Sequence, residues 1–388
     1  MWTSLLAYCP VRYHKSNHKD ESMALSKEPP YEHGAISQIG VLLVNLGTPD
    51  APTKTALKKY LKEFLSDRRV VEIPRLVWWL ILNGIILNLR PKKSAEKYAA
   101  IWTNEGSPLR IHTEQQTMLL QQRIENSGHK GVMVTHAMRY GSPSISETLS
   151  KLRSNGCDRI LVLPLYPHYN SSTTASIVDS VFSELQTMRN IPEVRYVKHF
   201  HDHPLYIEAL ADRVQGYWGE NGKPDKLVLS YHGVPSFSLK KGDPYHCECY
   251  KTSRLLADKL GIPREQIKTT FQSRFGKAEW LRPYTIETMQ ELGKDNTRRI
   301  DVFCPGFVSD CLETLEEINM ENRSEFLQHG GQEFHYIPCL NDSHKWIDTL
   351  EKIALENIST WLPDESDEEI QKLAQISRSE ALSRGAEK

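Results

Sequence analysis

A chain of 388 residues is too long for one small core and suits two lobes of ordinary size. Its 39% hydrophobic and 25% charged content is that of a soluble globular protein. With 48 Lys plus Arg against 49 Asp plus Glu the net charge is −1, which lacks the basic excess a nucleic-acid partner demands.

The first segment, residues 1–38, opens MWTSLLAYCPVRYHKSNHKDES. It has no apolar export core followed by a small-residue cleavage site. It reads as a disordered extension, with Met23 as an alternative start. Without an export signal the expected compartment is the reducing cytoplasm, where the seven cysteines would not form structural disulfides. Ordered sequence begins at residues 39–47, IGVLLVNLG, a β-branched run that reads as a buried parallel strand leading through TPDAPT into a helix. From Thr53, TKTALKKYLKEFLSD places apolar residues at helical spacing. The most apolar stretch runs from Leu76 to Leu89, LVWWLILNGIILNL. Broken by Asn83 and Gly84, it is shorter than the roughly 18 residues that cross a bilayer. It reads either as a core helix or, given Trp78 and Trp79, as an apolar lip or a peripheral membrane contact.

Further strands of the same kind lie at 159–167 (RILVLPLYP), 226–235 (KLVLSYHGVP) and 299–307 (RIDVFCPGF). The hydroxyls of Ser171–Thr174 follow the first of these where a helix begins, so one of them suits an N-cap. Strands and helices alternate, which implies right-handed βαβ units and parallel sheets. The chain also echoes itself: LLVNLGTP resembles VLSYHGVP, and LVLPLYPHYNSST resembles DVFCPGFVSDCLET. The fold expected is α/β, two similar Rossmann-like lobes, each a parallel sheet flanked by helices, with a cleft between them. The expected division is 39–196 plus 340–362 for the first lobe, 197–339 for the second, and a charged, partly helical tail at 363–388. Ligands sit beyond the carboxyl ends of such strands, so four strand-end loops should face the cleft.

One of those loops carries His232, in SYHGVP. Another leads to SDCLETLEEI, where Glu313, Glu316 and Glu317 fall at i, i+3 and i+4 as a ridge of carboxylates on one helical face. Both features have plain structural readings: a satisfied loop imidazole, a capping box of Asp310 with Glu313, and a solvated acidic face. Brought together across a cleft, imidazole and carboxylate suit a divalent first-row metal and can relay protons.

Eight segments in order, LLVNLGTPDAP, FLSDRRVV, GSPLRIHTEQQ, MRYGSPSI, LPLYPHYNSSTT, LSYHGVP, TFQSRFGKAEWLRPYT and CPGFVSDCLETLEEI, resemble the ferrochelatase family over about residues 39–361. The resemblance implies a lyase of haem biosynthesis that inserts ferrous iron, its substrate, into protoporphyrin IX in the last step. It places His232 and Glu313 at the metal, as catalytic residues, with Asp310 and Glu317 extending an acidic path. It puts Arg139 and Tyr140 opposite His232, Trp280 on the macrocycle, and Arg90, Tyr98 and Ser107 with the porphyrin propionates. Some members carry a [2Fe–2S] cluster. Here no Cys follows Cys339, so a C-terminal cluster is excluded; an internal one would draw on Cys247, Cys249, Cys304, Cys311 and Cys339, the other reading being ordinary thiols. Cys9 and Cys157 stand apart. Two other functions fit a two-lobed α/β chain: a chelatase loading cobalt into a corrin precursor, and a non-catalytic haem or metal carrier. Oligomeric state is not legible.

Overall fold

The computed structural model describes Leu25 and residues 28–387 apart from 275, 277, 364 and 365. Most of the expected N-terminal extension, Cys9 included, lies outside the described residues. Among the described residues, eight parallel strands form two sheets of the same design. The first comprises β1 (Gln38–Gly47), β2 (Val132–Tyr140), β3 (Cys157–Pro164) and β4 (Glu193–Tyr196), in the order β2-β1-β3-β4. The second comprises β5 (Lys226–His232), β6 (Ile267–Gln272), β7 (Arg299–Phe303) and β8 (Glu333–Tyr336), in the order β6-β5-β7-β8. The sequence echo is this shared order. In each sheet the chain leaves the first strand to one side and returns to the other, so a crevice opens beyond the carboxyl ends of β1 and β3, and of β5 and β7.

The four strands expected from sequence are the central pairs. β1 is apolar and buried on both faces because helices cover both sides of the sheet. The largest apolar core joins the two sheets: Val41, Leu43, Leu161 and Leu163 of the first share it with Leu227, Leu229 and Tyr231 of the second. Trp346 and Leu350, from the helix His344–Ile358, fill it alongside Tyr206 and Leu210 from the helix Pro204–Asn221.

β1 ends on Gly47, which adopts φ +103°, and a Cβ there would lie 1.8 Å from the Tyr140 carbonyl oxygen. Gly47→Ala therefore combines an unfavourable backbone with a clash against a neighbouring strand. It is expected to destabilise the protein by about 3 kcal/mol or more, read as a lower midpoint in urea unfolding with an unchanged slope; a midpoint equal to wild type would contradict this account of the turn.

Above this end, three helices, Lys54–Ser66, Arg75–Ile81 and Leu87–Ile101, form a separate apolar cap. Thr53 caps the first by accepting from the Ala56 amide. The apolar stretch 76–89 is neither wholly core nor wholly lip. Leu82 and Leu87 are buried, while Leu76, Val77, Trp79, Leu80, Ile85 and Leu89 are exposed. Trp78 turns inward and its indole N–H donates to the Leu65 carbonyl at 2.6 Å. No helix among the described residues is long and apolar enough to cross a membrane. The tail includes a helix, Asp367–Ser383, opened by a capping box of Ser366 with Glu369.

Candidate active site

β5 delivers His232 to the crevice and the chain turns at once through Gly233. The His232 Nδ1–H donates to the Gly233 carbonyl at 2.7 Å, which fixes the tautomer and turns the Nε2 lone pair outward. Only glycine fits the turn: a Cβ on Gly233 would sit 2.5 Å from the Gln272 carbonyl oxygen and 3.1 Å from Cε3 of Trp280. Trp280 thus lies against the backbone beside His232, tied there by its pairing with Pro235. The indole Nε1–H is covered and makes no hydrogen bond within the protein.

The acidic helix faces this turn, but its winding differs from the ridge expected. Residues Glu313–Asn322 form a π-helix, a geometry that recurs at functional sites. In this wider turn i and i+4 stay together while i+3 rotates away. Glu313 and Glu317 therefore share the site. Glu316 leaves it and pairs with Lys97 at 2.9 Å.

Glu317 accepts from the Ser273 amide at 2.6 Å, from the Ser273 hydroxyl and from the Gln272 side chain at 3.3 Å. Ser273 adopts φ +65°, a left-handed conformation uncommon outside glycine, to present both donors. Gln272 also donates to the Glu313 carbonyl at 2.8 Å and accepts from the Ser230 hydroxyl, so the end of β6 clamps the acidic helix to β5. Burial pushes the Glu317 carboxyl up. The Ser273 hydrogen bond and the charge of His232 oppose that shift without cancelling it, and the charge of Glu313 adds to it.

On its other side Glu313 meets the first half of the chain. Burial raises the phenols of Tyr60, Tyr98 and Tyr166, and the charge of Glu313 adds at each. Tyr60 donates to the Gly47 carbonyl at 3.1 Å. Thr48, next in the chain, bonds the buried Ser107 hydroxyl at 2.8 Å and also reaches Tyr98. Tyr98 and Ser107 thus meet through Thr48, and Arg90 lies on the helix Leu87–Ile101, where its residue surface is exposed but burial of the guanidinium lowers it below the usual arginine range.

Arg139 and Tyr140 come together at the end of β2 on a carboxylate that the sequence reading did not single out. Arg139 and the Tyr140 hydroxyl both donate to Asp67 Oδ2, at 2.6 and 2.9 Å, and Arg139 Nε reaches the Ser176 hydroxyl at 2.7 Å. Burial raises Asp67, but hydrogen bonds from Ser176, the Arg69 amide and Tyr140, with the charge of Arg139, outweigh it and hold the carboxyl below its usual range.

Asp310 is not the helix cap. Oδ1 accepts from the Thr314 and Tyr336 hydroxyls and the Cys339 amide, and Oδ2 from the Asn341 side chain at 2.7 Å. With hydrogen bonds on both oxygens, this buried carboxylate anchors the loop. Thr173 likewise precedes its helix without a side-chain cap bond.

The cysteines do not gather into one group: Cys304, Cys311 and Cys339 lie within electrostatic reach of one another, and Cys247 and Cys249 stand apart from them. Cys249 lies in the core shared by both sheets, whereas Cys304 and Cys339 lie in a cluster on the opposite face of the second sheet; Cys247 is exposed. Burial raises the thiols of Cys249, Cys304, Cys311 and Cys339. Among the described residues, no group of three metal-binding side chains includes a cysteine. The sheet separates residues that are neighbours in the sequence reading.

A family model described as ferrochelatase matches residues 38–358. The ferrochelatase of Aromatoleum aromaticum is 60% identical over 335 residues, covering 86% of this chain and 92% of that one. That of Herminiimonas arsenicoxydans is 57% identical over 372 residues, 94% of this chain and 100% of that one. Among solved structures, SirB from Bacillus subtilis with Fe3+ aligns at 14% identity and a TM-score of 0.48, covering 84% and 100% respectively.

Proposed function

The chain belongs to the ferrochelatase family, lyases that insert iron into protoporphyrin at the end of haem biosynthesis, and we propose that His232, Glu313 and Glu317 perform the insertion here. Membership in that family sets aside both the corrin chelatase and the carrier. The observation that supports the site is the meeting of three groups from two elements: at the end of β5 an imidazole with Nε2 turned outward, and on the facing helix a carboxylate raised by burial with a second carboxylate in electrostatic reach of it.

The chemistry calls for these groups. Two pyrrole protons must leave and ferrous iron must shed water, while a flat macrocycle keeps its protons and lone pairs in the ring plane. Binding energy from the ring periphery can bend it and expose one nitrogen. His232 Nε2 accepts the two protons one after the other; Glu317, whose carboxyl holds a proton more readily than an ordinary one, passes each on before the next is taken. Glu313 and the imidazole are the donor types that a divalent first-row ion prefers. Trp280 offers a ring face beside His232. Arg139 and Tyr140, braced by Asp67, form the opposite wall. Tyr98 and Ser107 line the floor, and Arg90 receives a propionate. Asp310 supports the path by fixing its loop. The lobes we assign are 39–196 plus 340–362, and 197–339. The test is anaerobic: loss of protoporphyrin IX fluorescence and appearance of haem after addition of ferrous iron, in wild type beside the site variants.

Peripheral membrane contact through residues 76–89 belongs to the same reading, since Leu76, Val77, Trp79, Leu80, Ile85 and Leu89 form an exposed apolar band beside the cap over the site. Leu76→Asp/Trp79→Asp is expected to weaken partitioning onto phosphatidylglycerol vesicles roughly tenfold or more, with turnover in detergent unchanged. Trp78 is left intact because it packs inward. Equal partitioning of the two proteins would refute membrane contact.

A further inference from the structure

A cluster that iron insertion does not use lies behind the β5 turn. After β4 the chain runs through His199, Phe200 and His201. Phe200 packs into the core against Tyr206 and Trp346, whereas His199 and His201 both meet Glu248, on the first turn of the helix Tyr245–Leu260. Donor atoms of His199, His201 and Glu248 all lie within 4.8 Å of one another, the one such group of three among the described residues.

We propose that His199, His201 and Glu248 form a second metal site, separate from the insertion site, for a divalent first-row cation such as Zn2+ or Co2+. Two imidazoles and a carboxylate are a donor set these ions favour. The site is also built. Glu248 is buried, and the Tyr169 amide donates to its Oε2 at 2.7 Å. Its Oε1 faces His199 Nδ1 at 2.6 Å. His201 is 4% exposed, yet its Nδ1 makes no hydrogen bond and points toward Glu248 Oε2 from 3.5 Å. A buried ring nitrogen left without a partner beside a carboxylate is what a missing cation would leave behind. His199 is the solvent-facing member, with 39% of its side chain exposed. It borders a cavity of ≈510 Å³, lined also by Asp202, His203 and Glu356, that gives an ion access and leaves room for a water as fourth ligand.

The position suggests what the ion would hold. His168 lies 5.7 Å from the His201 ring and packs edge-on, at 5.3 Å, against Tyr231, the residue before His232. An ion here would tie the loop after β3, the segment after β4 and the helix Tyr245–Leu260 together beneath the β5 turn.

The experiment is a Co2+ titration followed by visible d–d absorption and equilibrium dialysis. Wild type is expected to retain two ions per chain and His199→Ala one. In a His232→Ala/Glu313→Gln background the count should be one, falling to none when His199→Ala or Glu248→Gln is added. Zn2+ should raise the Tm of that background protein and leave the His199→Ala version unmoved, while equal metal-free Tm values show that the fold is intact. Absence of Co2+ retention by the His232→Ala/Glu313→Gln protein, or retention undiminished by both His199→Ala and Glu248→Gln, would overturn the site. Neither result bears on the roles given to His232 and Glu313.

Discussion

His232→Ala is expected to lower the rate of iron insertion by roughly 10³-fold, within the range that loss of a positioned proton acceptor produces, while porphyrin affinity changes only a few-fold. The split follows from the geometry. His232 Nδ1 is engaged with its neighbour's carbonyl, so the whole contribution of the side chain is Nε2 presented to the crevice. The groups assigned to the macrocycle, Trp280 and the Asp67-braced pair Arg139 and Tyr140, are held by other contacts that the truncation leaves standing. The loss should therefore appear in kcat, with the porphyrin Kd from fluorescence quenching nearly unchanged. Single-turnover measurements under anaerobic conditions separate the two. A variant that keeps more than a tenth of the wild-type rate, or one that fails only because porphyrin no longer binds, would remove His232 from the proton path. Circular dichroism is expected to be unaltered, since the side chain is only half-buried.

Much of this arrangement is legible in the sequence, and the gaps have physical causes. The runs 39–47, 159–167, 226–235 and 299–307 announce β1, β3, β5 and β7 because a strand flanked by two neighbours and covered on both faces must be apolar throughout. β2, β4, β6 and β8 lie at the sheet edges, where one side is unpaired and the code is looser. Glu193–Tyr196, read as EVRY, is half-exposed along its length and carries no apolar signature. The carboxylate ridge was legible as a helix but not as a π-helix, because composition does not report whether a helix bonds i→i+4 or i→i+5; that choice decides that Glu317 joins Glu313 while Glu316 pairs with Lys97. Asp310 followed by Glu313 matches a capping box, yet Tyr336 and Asn341, from distant parts of the chain, claim the Asp310 oxygens first. Asp67 lies in FLSDRRVV, and Gln272 and Ser273 in TFQSRFGKAEWLRPYT, but the work of all three is to hold other side chains and becomes visible only with the partners in place.

Glu317→Gln is expected to do two opposite things: slow insertion by roughly 10²-fold and make the protein more stable at neutral and higher pH. The sign comes from linkage. The ordinary value for this carboxyl is 4.5, and the folded protein raises it through burial, opposed in part by Ser273 and His232. Between the ordinary and the raised value the folded state holds a proton that the unfolded chain has released, so stability falls as pH rises through that window. Above it the wild-type protein carries an ionised, desolvated carboxylate. Glutamine has nearly the same shape, can still accept from the Ser273 amide, and has no charge to desolvate. Its Tm should exceed that of wild type by about 1–3 °C at pH 8 and lose that advantage at pH 4, where Glu317 is protonated too. In catalysis the same property works the other way. A carboxyl that holds and releases protons above the usual range is suited to pass on what His232 collects, and the amide cannot. The wild-type rate should fall as pH drops through the raised value, and the residual Glu317→Gln rate should not show that limb. A variant as fast as wild type with the same acid limb, or one less stable than wild type at pH 8, would mean that Glu317 is held in this position only by Ser273 and Gln272 and takes no part in proton movement.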